Sequence, residues 1–199
     1  MDKEKIIAFF DFDGTITKRD TFVPFLVYQN GLLIFIFKLI SLFFYIIAFY
    51  AKIISNEKLK ERFIKKFIAG YSVQEINDLV ERFIEQKIDS MCRKEALVCL
   101  EWHKANRHKI VIVSASPSYF IEKWATKLDF DSVSTELEIV NYNYTGKLKS
   151  KNCYGKEKVK RILERYDIKK YDEIYAYGDT KGDLPMLKLA TKAYYKPFR

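Results

Sequence analysis

Three short apolar runs, each of which stops abruptly at a polar residue, constrain the fold of this chain most. They lie at Lys5–Phe10, Lys109–Ser114 and Glu173–Asp179. A continuous apolar run of this length predicts a strand that is buried on both faces, as in a parallel sheet. In open parallel sheets the ligand site lies beyond the carboxyl ends of the strands, so the polar residues that end these runs are the first candidates for function.

Helical patterns separate the runs. They fall at Val73–Met91, Arg93–Ala105, Tyr119–Leu128 and Lys156–Tyr166. Strands that alternate with helices predict an α/β fold, here a three-layer, Rossmann-like core with a parallel sheet. A hairpin is expected at Leu137–Leu148, and Tyr194–Pro197 is expected to close the sheet.

The composition excludes several classes of protein. With 199 residues, of which 49% are hydrophobic, the chain suits one globular domain with a small insertion, and disorder is excluded. Cys92, Cys99 and Cys153 are odd in number and have no metal-ligand spacing, which favours free thiols in a reducing compartment. Met1 to Lys5 leads directly into the first run, and no secretory signal is expected there.

The net charge is +9, from 35 Lys and Arg against 26 Asp and Glu. Lysines spread over helix faces are usually solvated, and the alternative is a surface that meets a phosphate-rich partner. No zinc spacing or ribonucleoprotein motif is present, so a nucleic-acid partner is not expected. An anionic membrane surface remains the open alternative.

The first polar strand end carries two carboxylates, Asp11 and Asp13, followed by Gly14 and Thr15. Two acids so spaced after a buried strand can face one crevice, where their repulsion requires a proton or a cation. A hard, oxygen-preferring ion such as Mg²⁺ suits such a pair. An ordinary Asp-Gly turn is the simpler alternative for these residues taken alone.

The other strand ends add groups of the same kind. Asp179 and Asp183 can complete an oxygen coordination sphere, and the Ser114 hydroxyl with neighbouring backbone amides can hold a phosphate oxygen. Lys156 begins a predicted helix after Gly155. A cation at a helix amino terminus is unfavourable unless an anion lies nearby.

Taken in order, these motifs resemble those of the haloacid dehalogenase-like hydrolases, and in particular the branch similar to phosphoserine phosphatases. The resemblance covers residues 5–30 and 94–197, including the Thr-Gly-Lys and Tyr-Gly-Lys-Glu-Lys stretches between residues 145 and 158. It implies a catalytic core at residues 1–25 and 94–199 and an inserted helical cap at residues 26–93.

The resemblance also implies site roles. Asp11 would be the nucleophile that forms an aspartyl phosphate, and Asp13 the general acid and base. Mg²⁺ would be held by Asp11, the Asp13 carbonyl, Asp179 and, less directly, Asp183. Ser114, Ala115 and Lys156 would bind the phosphoryl group, and Asp20 lies where the branch places an acid near the substrate amine.

Departures from that branch put phosphoserine itself in doubt. The branch usually has Ser-Gly-Gly where this chain has Ser114-Ala115-Ser116, and usually has Asn at the position of Gly182. Asp20 can equally cap a helix that begins near Thr21.

The segment 32–51 reads LLIFIFKLISLFFYIIAFYA, with a mean hydropathy of roughly 2.4 over residues 32–50. One membrane crossing here would place Asp11 and Ser114 on opposite sides of the bilayer, so a simple span is excluded. The segment either packs within the cap or inserts into one leaflet, and a helix that is apolar on all sides favours insertion. Nearby basic residues are expected to meet anionic headgroups, and four apolar ones are expected to face lipid. The basic set is Lys58, Lys60, Arg62, Lys65 and Lys66, and the apolar set is Ile34, Phe37, Leu42 and Phe44.

The sequence therefore predicts a Mg²⁺-dependent phosphomonoester hydrolase that acts on a phosphate presented at the cytoplasmic side of a membrane. Bacterial phosphatidylglycerophosphate phosphatases of this branch combine the same core motifs with an apolar cap segment, and the chain is similar to them. The alternatives are a soluble cytoplasmic phosphatase of small metabolites, phosphoserine among them, and a non-catalytic membrane-anchored scaffold. Whether an acceptor other than water takes the phosphoryl group, and whether the chain oligomerises, stays open.

Overall fold

The structure is a computed structural model that describes residues 5–199. Residues 1–4 lie outside the described part, and with them most of the segment Met1 to Lys5 that was assessed for a signal sequence. The strands are β1 (Ile6–Phe10), β2 (Lys109–Pro117), β3 (Asp131–Thr135), β4 (Leu137–Val140), β5 (Asn143–Leu148), β6 (Glu173–Gly178) and β7 (Lys192–Tyr195). Five of them form a parallel sheet with the order β3-β2-β1-β6-β7, and β4 and β5 form a separate two-stranded hairpin.

Helices cover both faces of the sheet. They are α1 (Phe22–Asn30), α2 (Leu32–Ile40), α3 (Phe43–Tyr50), α4 (Asn56–Phe67), α5 (Val73–Phe83), α6 (Asp89–Met91), α7 (Lys94–Ala105), α8 (Ser118–Lys127), α9 (Lys156–Arg165) and α10 (Leu184–Leu187). A wider helical turn at Ile84–Ile88 joins α5 to α6, and a short 3-10 turn lies at Ile168–Lys170. The predicted α/β class is confirmed.

The central strand β1 shows why the sheet is buried on both sides. Ile7 and Phe9 belong to the apolar cluster on the face covered by α9 and α10, whereas Ala8 and Phe10 belong to the cluster on the opposite face. All four side chains are fully buried. A strand with no solvent-facing side must be apolar at every position, which explains the continuous run in the sequence.

One strand was not predicted from the sequence, and one prediction needs correction. Strand β3 pairs in parallel with β2, and its Asp-Ser-Val-Ser-Thr sequence contains no apolar run, although its last four residues are buried. The last strand begins at Lys192, two residues before the predicted Tyr194–Pro197, and pairs with β6. The predicted hairpin is confirmed, with Asn141 and Tyr142 both at positive φ in its turn.

The hairpin also contacts the helical region that follows the first motif, Asp11 to Thr15. The backbone amide of Gly70 donates to the Tyr144 carbonyl oxygen, and the amide of Tyr144 donates to the Tyr71 carbonyl oxygen, each at 2.9 Å. A Cβ atom at Gly146 would lie 2.7 Å from the Lys65 Cα atom of α4. The hairpin, although assigned to the core by the sequence, therefore packs closely against the end of α4.

The apolar segment 32–51 forms two helices, α2 and α3, that are separated at Ser41–Leu42. Within residues 5–199, no single helix is both long and apolar enough to cross a bilayer; α1 and α2, bent by 113° relative to each other, pass that test only as a pair. Phe35 and Leu42 are 7% and 4% exposed, so the prediction that Leu42 faces outward is wrong.

Most of the other large apolar side chains in this region are exposed, among them Leu33 at 83% and Phe44 at 81%. We call the exposed set the apolar cap surface. It comprises Leu32, Leu33, Ile34, Ile36, Phe37, Ile40, Phe43, Phe44, Tyr45, Ile47, Tyr50 and Ile53.

Candidate active site

The carboxylate of Asp11 lies at the end of β1 and is buried. The backbone amide of Asp11 donates to the Tyr177 carbonyl oxygen of β6 at 2.9 Å, so Asp11 is bonded to the neighbouring strand. The Lys158 ammonium donates to Asp11 Oδ1 at 2.6 Å, and the Thr15 hydroxyl donates to Asp11 Oδ2 at 3.0 Å. Both oxygens of this carboxylate are therefore held in fixed directions.

Lys158 is the central cation of the site. Its ammonium also donates to Asp183 Oδ1 at 2.6 Å and to the Val113 carbonyl oxygen at 2.8 Å, so it connects β2 with the residues that follow β1 and β6. Burial alone would lower the pKa of Lys158, but the charges of Asp11 and Asp183 outweigh it and raise that pKa above its usual value. Lys158 therefore remains positively charged.

The structure places Lys158, rather than the predicted Lys156, beside Asp11. Helix α9 begins at Lys156, as predicted, but the Lys156 side chain is exposed, whereas Lys158 is buried against Asp11. Lys158 precedes the buried Ile162 by four residues, which puts both on the inward face of the helix. That spacing is a sequence signal that distinguishes the two lysines.

Three carboxylates meet at the carboxyl edge of the sheet. Asp11, Asp179 and Asp183 are all buried, and each offers an oxygen within 4.8 Å of the others. Burial raises the pKa of Asp11 to about 7 although Lys158 opposes it, and burial also raises the pKa of Asp179 against the opposing charge of Arg199. Burial of Asp183 acts in the same direction, but Lys158 outweighs it and lowers that pKa.

These residues fit a divalent metal ion. The donors are all oxygen atoms. Lys158 pairs with Asp11 and Asp183, and Arg199 pairs with Asp179, so the three carboxylates with these two cations leave a net charge of −1 for a metal cation to balance. The close packing at Gly14 belongs to the same site. With φ of +90°, Gly14 passes so near Asp179 that a Cβ atom would lie 2.6 Å from its Oδ2.

Asp13 lies two residues after Asp11, and its carboxylate has different hydrogen-bond partners. Its Oδ1 accepts from the Thr21 amide at 2.8 Å and from the Thr21 hydroxyl at 2.7 Å, and its Oδ2 accepts from the Ser116 hydroxyl at 2.6 Å. Asp13 is half-buried, in contrast to the fully enclosed Asp11. The two acids of the first motif therefore have separate environments, which is what separate roles require.

The carboxyl-terminal part of β2, where its register with β3 is irregular between Val113 and Pro117, holds the predicted phosphate-binding residues. The Ser114 hydroxyl is buried and accepts from the Ser116 amide at 3.0 Å. The Ala115 carbonyl oxygen accepts from the Thr135 hydroxyl at 2.7 Å and from the Lys60 ammonium of α4. Ser114 and Ala115 thus lie at the same sheet edge as Asp11, on the β2 side.

Lys60 brings a second cation to this edge, from the helical region. Its ammonium donates to the Asn152 amide oxygen at 2.8 Å as well as to Ala115. Burial lowers the pKa of Lys60 to about 8, opposed most strongly by the charge of Asp13. The prediction that Lys60 belongs to a headgroup-facing basic cluster is therefore wrong, whereas Lys58, Lys65 and Lys66 are exposed.

The remaining predicted positions have local explanations. Asp20 is exposed, and its Oδ2 accepts from the Val23 amide at 2.9 Å in the first turn of α1, which is the capping alternative. At Gly182, a Cβ atom would lie 2.2 Å from the Tyr154 ring. The Tyr154 ring therefore occupies the space that a side chain at position 182 would need.

Sequence reasoning missed Thr15, Thr21, Ser116, Lys60 and Lys158 as site residues. Ser116 and Thr21 are adjacent to the predicted Ala115 and Asp20, and Thr15 lies two residues after Asp13, so distance along the chain is a usable signal for these three. Lys60 gave no such signal, because only the folded chain brings α4 to the carboxyl edge of the sheet.

The parallel sheet, the position of the site beyond the strand ends and the paired acids define a class of hydrolase. The chain belongs to the haloacid dehalogenase-like hydrolases, whose family model matches residues 8–188. Protein CicA of Caulobacter vibrioides is 34% identical over 203 residues, which covers 100% of this chain and 89% of that protein.

Solved structures show the same fold. A protein of unknown function from Bordetella pertussis aligns with a TM-score of 0.81 and 20% identity over 94% of this chain and 88% of that one. A phosphoserine phosphatase, solved as a phospho-aspartyl intermediate analogue, aligns with a TM-score of 0.64 and 18% identity over 94% of this chain and 84% of that one.

Proposed function

We propose that this chain is a phosphatase that hydrolyses phosphate monoesters through a phosphorylated Asp11. The observation that carries the proposal is the Asp11 carboxylate, which Lys158 and Thr15 hold from two sides in a crevice with Asp179 and Asp183. A nucleophile fixed beside a permanent cation suits attack on an anionic phosphoryl group. The solved phosphoserine phosphatase, described as a phospho-aspartyl intermediate analogue, supports the covalent route.

In the first step an Asp11 oxygen forms a bond to phosphorus and the bond from phosphorus to the leaving oxygen breaks. Asp13 gives its proton to that oxygen, so an alcohol leaves. In the second step Asp13 takes a proton from water, the water oxygen bonds to phosphorus, and the Asp11–phosphorus bond breaks. Ser114 holds the phosphoryl oxygens through both steps, and the charge of Lys158, beside Asp11, offsets the charge on them.

The proposed metal is Mg²⁺, for which Asp11, Asp179 and the Asp13 carbonyl are the proposed ligands, with Asp183 in support. When bound, the ion would offset the charge of the phosphoryl oxygens and keep Asp11 ionised despite its burial. Lys158 neutralises part of the charge that remains on Asp11 and Asp183.

For the substrate, we propose a phosphate monoester carried on a lipid, such as phosphatidylglycerophosphate. The support is the apolar cap surface, since soluble monomers rarely expose contiguous apolar patches of this kind. Helix α2 has nine residues, which at 1.5 Å per residue gives about 13.5 Å, close to half of the ~30 Å hydrocarbon core. The length suits insertion into one leaflet.

The Asp11→Asn variant tests the covalent step. We expect it to lose hydrolysis of p-nitrophenyl phosphate and to take up no radioactive phosphate after acid quenching, because an amide is a poor nucleophile. The Asp78→Asn variant, on the exposed side of α5, should behave like the wild type in both assays. EDTA should abolish wild-type turnover and Mg²⁺ should restore it. Labelling of the Asp11→Asn protein would refute the assignment.

The substrate proposal is tested by comparing phosphatidylglycerophosphate in vesicles with phosphoserine in solution. We expect kcat/KM to be higher for the lipid by at least an order of magnitude. Preference for the soluble ester would instead identify a phosphatase of small metabolites. No turnover of either substrate or of p-nitrophenyl phosphate would favour a non-catalytic scaffold.

A further inference from the structure

The hydroxyl of Ser116 has a position that the proposed reaction does not yet explain. It is buried, and it lies 2.6 Å from Asp13 Oδ2, the shortest of the hydrogen bonds that this carboxyl accepts. The branch that the sequence resembles usually has glycine here, which offers no hydroxyl. Ser116 is therefore a feature of this chain that contacts the proposed acid and base directly.

The two oxygens of Asp13 are not equivalent. Among the described residues, Oδ1 accepts two hydrogen bonds, both from Thr21, and Oδ2 accepts one, from Ser116. Since each carboxylate oxygen has two lone pairs, Oδ1 is fully occupied and Oδ2 has one lone pair left. The proton that Asp13 transfers would therefore sit on Oδ2.

Ser116 is itself held in place. Its amide donates to the Ser114 hydroxyl at 3.0 Å, within the carboxyl-terminal part of β2. The same part of the strand carries the Ala115 carbonyl oxygen, which accepts from Thr135 and Lys60. A strand end fixed at these points can set the direction of the Ser116 hydroxyl, and so of the carboxyl that it contacts.

We propose that Ser116, together with Thr21, is a positioning residue that orients the Asp13 carboxyl so that its Oδ2 delivers the proton to the leaving alcohol. The inference rests on the proposed phosphatase function and adds a determinant of which leaving groups the enzyme accepts. An alcohol of high pKa needs a proton as its bond to phosphorus breaks, whereas p-nitrophenolate leaves without one. Loss of orientation should therefore affect alkyl esters selectively.

The test compares kcat/KM for glycerol phosphate and p-nitrophenyl phosphate. In the Ser116→Ala variant we expect the alkyl ester to lose about 10- to 100-fold, as for a hydrogen bond to a charged group, and the aryl ester to lose less than about threefold. Ser116→Thr, which keeps a hydroxyl, should recover most of the alkyl activity. Ser118→Ala, two residues further along, is the matched control and should match the wild type.

Equal losses for both esters in the Ser116→Ala variant would overturn the proposal, because a merely structural residue would lower both. If circular dichroism shows that this variant does not fold, the Thr21→Val and Thr21→Ser variants are used instead. Only Thr21→Val should lower kcat/KM for the alkyl ester more than for the aryl ester. A wild-type protein that hydrolyses neither ester would refute the phosphatase function itself. An active wild type, with the same ratio of alkyl to aryl activity in the Ser116→Ala variant, would refute only the role of Ser116.

Discussion

The catalytic crevice and the apolar cap surface differ in how their side chains meet water: the crevice encloses charged groups, whereas the cap surface exposes apolar ones. In the crevice, charged groups are buried or half-buried, and each has partners: Lys158 donates to three oxygens, and Asp13 accepts three hydrogen bonds. On the cap, large apolar side chains such as Leu33 and Phe44 are exposed to water with nothing packed over them among the described residues. Burying a charge requires compensation inside the chain, whereas exposed apolar area gains free energy only from a partner outside it.

The comparison teaches that the two regions depend on different surroundings. The crevice is organised by contacts within the chain, so its chemistry should persist in any solution that keeps the fold and supplies the proposed Mg²⁺. Within residues 5–199 nothing packs over the apolar cap surface, so its burial requires a partner outside the chain. The following predictions separate these two kinds of dependence.

The largest expected effect is on membrane binding. We expect the wild type to sediment with anionic phospholipid vesicles and to stay bound in high salt, since salt screens charges but not apolar burial. Four exposed residues of the apolar cap surface would be changed to Gln: Ile34, Phe37, Ile40 and Phe44. Each substitution should lose about 1.5 kcal/mol of burial free energy in the bilayer, so the four together should lower the partition coefficient between vesicles and water by about 10⁴-fold.

A matched control changes four exposed aliphatic residues elsewhere: Val98, Ile139, Val140 and Leu163. This control should sediment like the wild type. The cap variant should keep its turnover of p-nitrophenyl phosphate, because its substitutions lie outside the crevice, while turnover of a lipid phosphate falls. If both activities fell together, the apolar helices would be part of the packed cap, and a wild type that stays in the supernatant would exclude membrane docking.

The next effect is on the crevice. Replacing Lys158 by Met removes the cation between Asp11 and Asp183, and we expect kcat/KM for p-nitrophenyl phosphate to fall about 10²- to 10³-fold, as for loss of one electrostatic contact to the transition state. Lys156→Met is the matched control two residues away. It should change kcat/KM by less than about twofold, because Lys156 is exposed.

Lys158→Arg tests the same site if the Met variant fails to fold, since it keeps the charge while changing the geometry of the donor. We expect a folded protein with reduced kcat/KM. Full activity in the Lys158 variants together with loss of activity in Lys156→Met would return the phosphate-binding role to Lys156, in conflict with the geometry.

The sequence predicted those parts of the molecule that depend on pattern. The apolar runs located β1, β2 and β6, and the polar residues at their ends located Asp11, Ser114 and Asp179, because strand burial and strand ends are visible as abrupt changes in polarity. The choice between Lys156 and Lys158 needed the rotation of α9, which follows from where Ile162 packs.

Other features could not be predicted because they arise only from tertiary packing. The sequence of β3 carries three hydroxyl residues and one acid, and its position beside β2 is fixed by pairing rather than by apolar content. Segment 32–51 reads as one uniform apolar helix, yet it breaks where Leu42 turns into the core. Lys60 reads as one lysine in a basic cluster, and only the placement of α4 brings it to Ala115.

The smallest expected effect concerns a buried polar group behind the site. His103 is fully buried, with Nε2 3.0 Å from the Tyr177 hydroxyl, and burial lowers its pKa to about 3, with the charge of His108 as a smaller cause. Below about pH 6.5 the unfolded chain takes up a proton that the native His103 refuses, so the free energy of unfolding falls as the pH decreases from 6.5 towards 3. Between pH 7 and 5 this contribution is about 2 kcal/mol. Urea unfolding should show a shallower pH dependence for His103→Gln, and NMR of the native imidazole should show it neutral at pH 5. A titration midpoint near 6.5 for His103 in the native protein would contradict the prediction, because the native fold would then accept the proton as readily as the unfolded chain does.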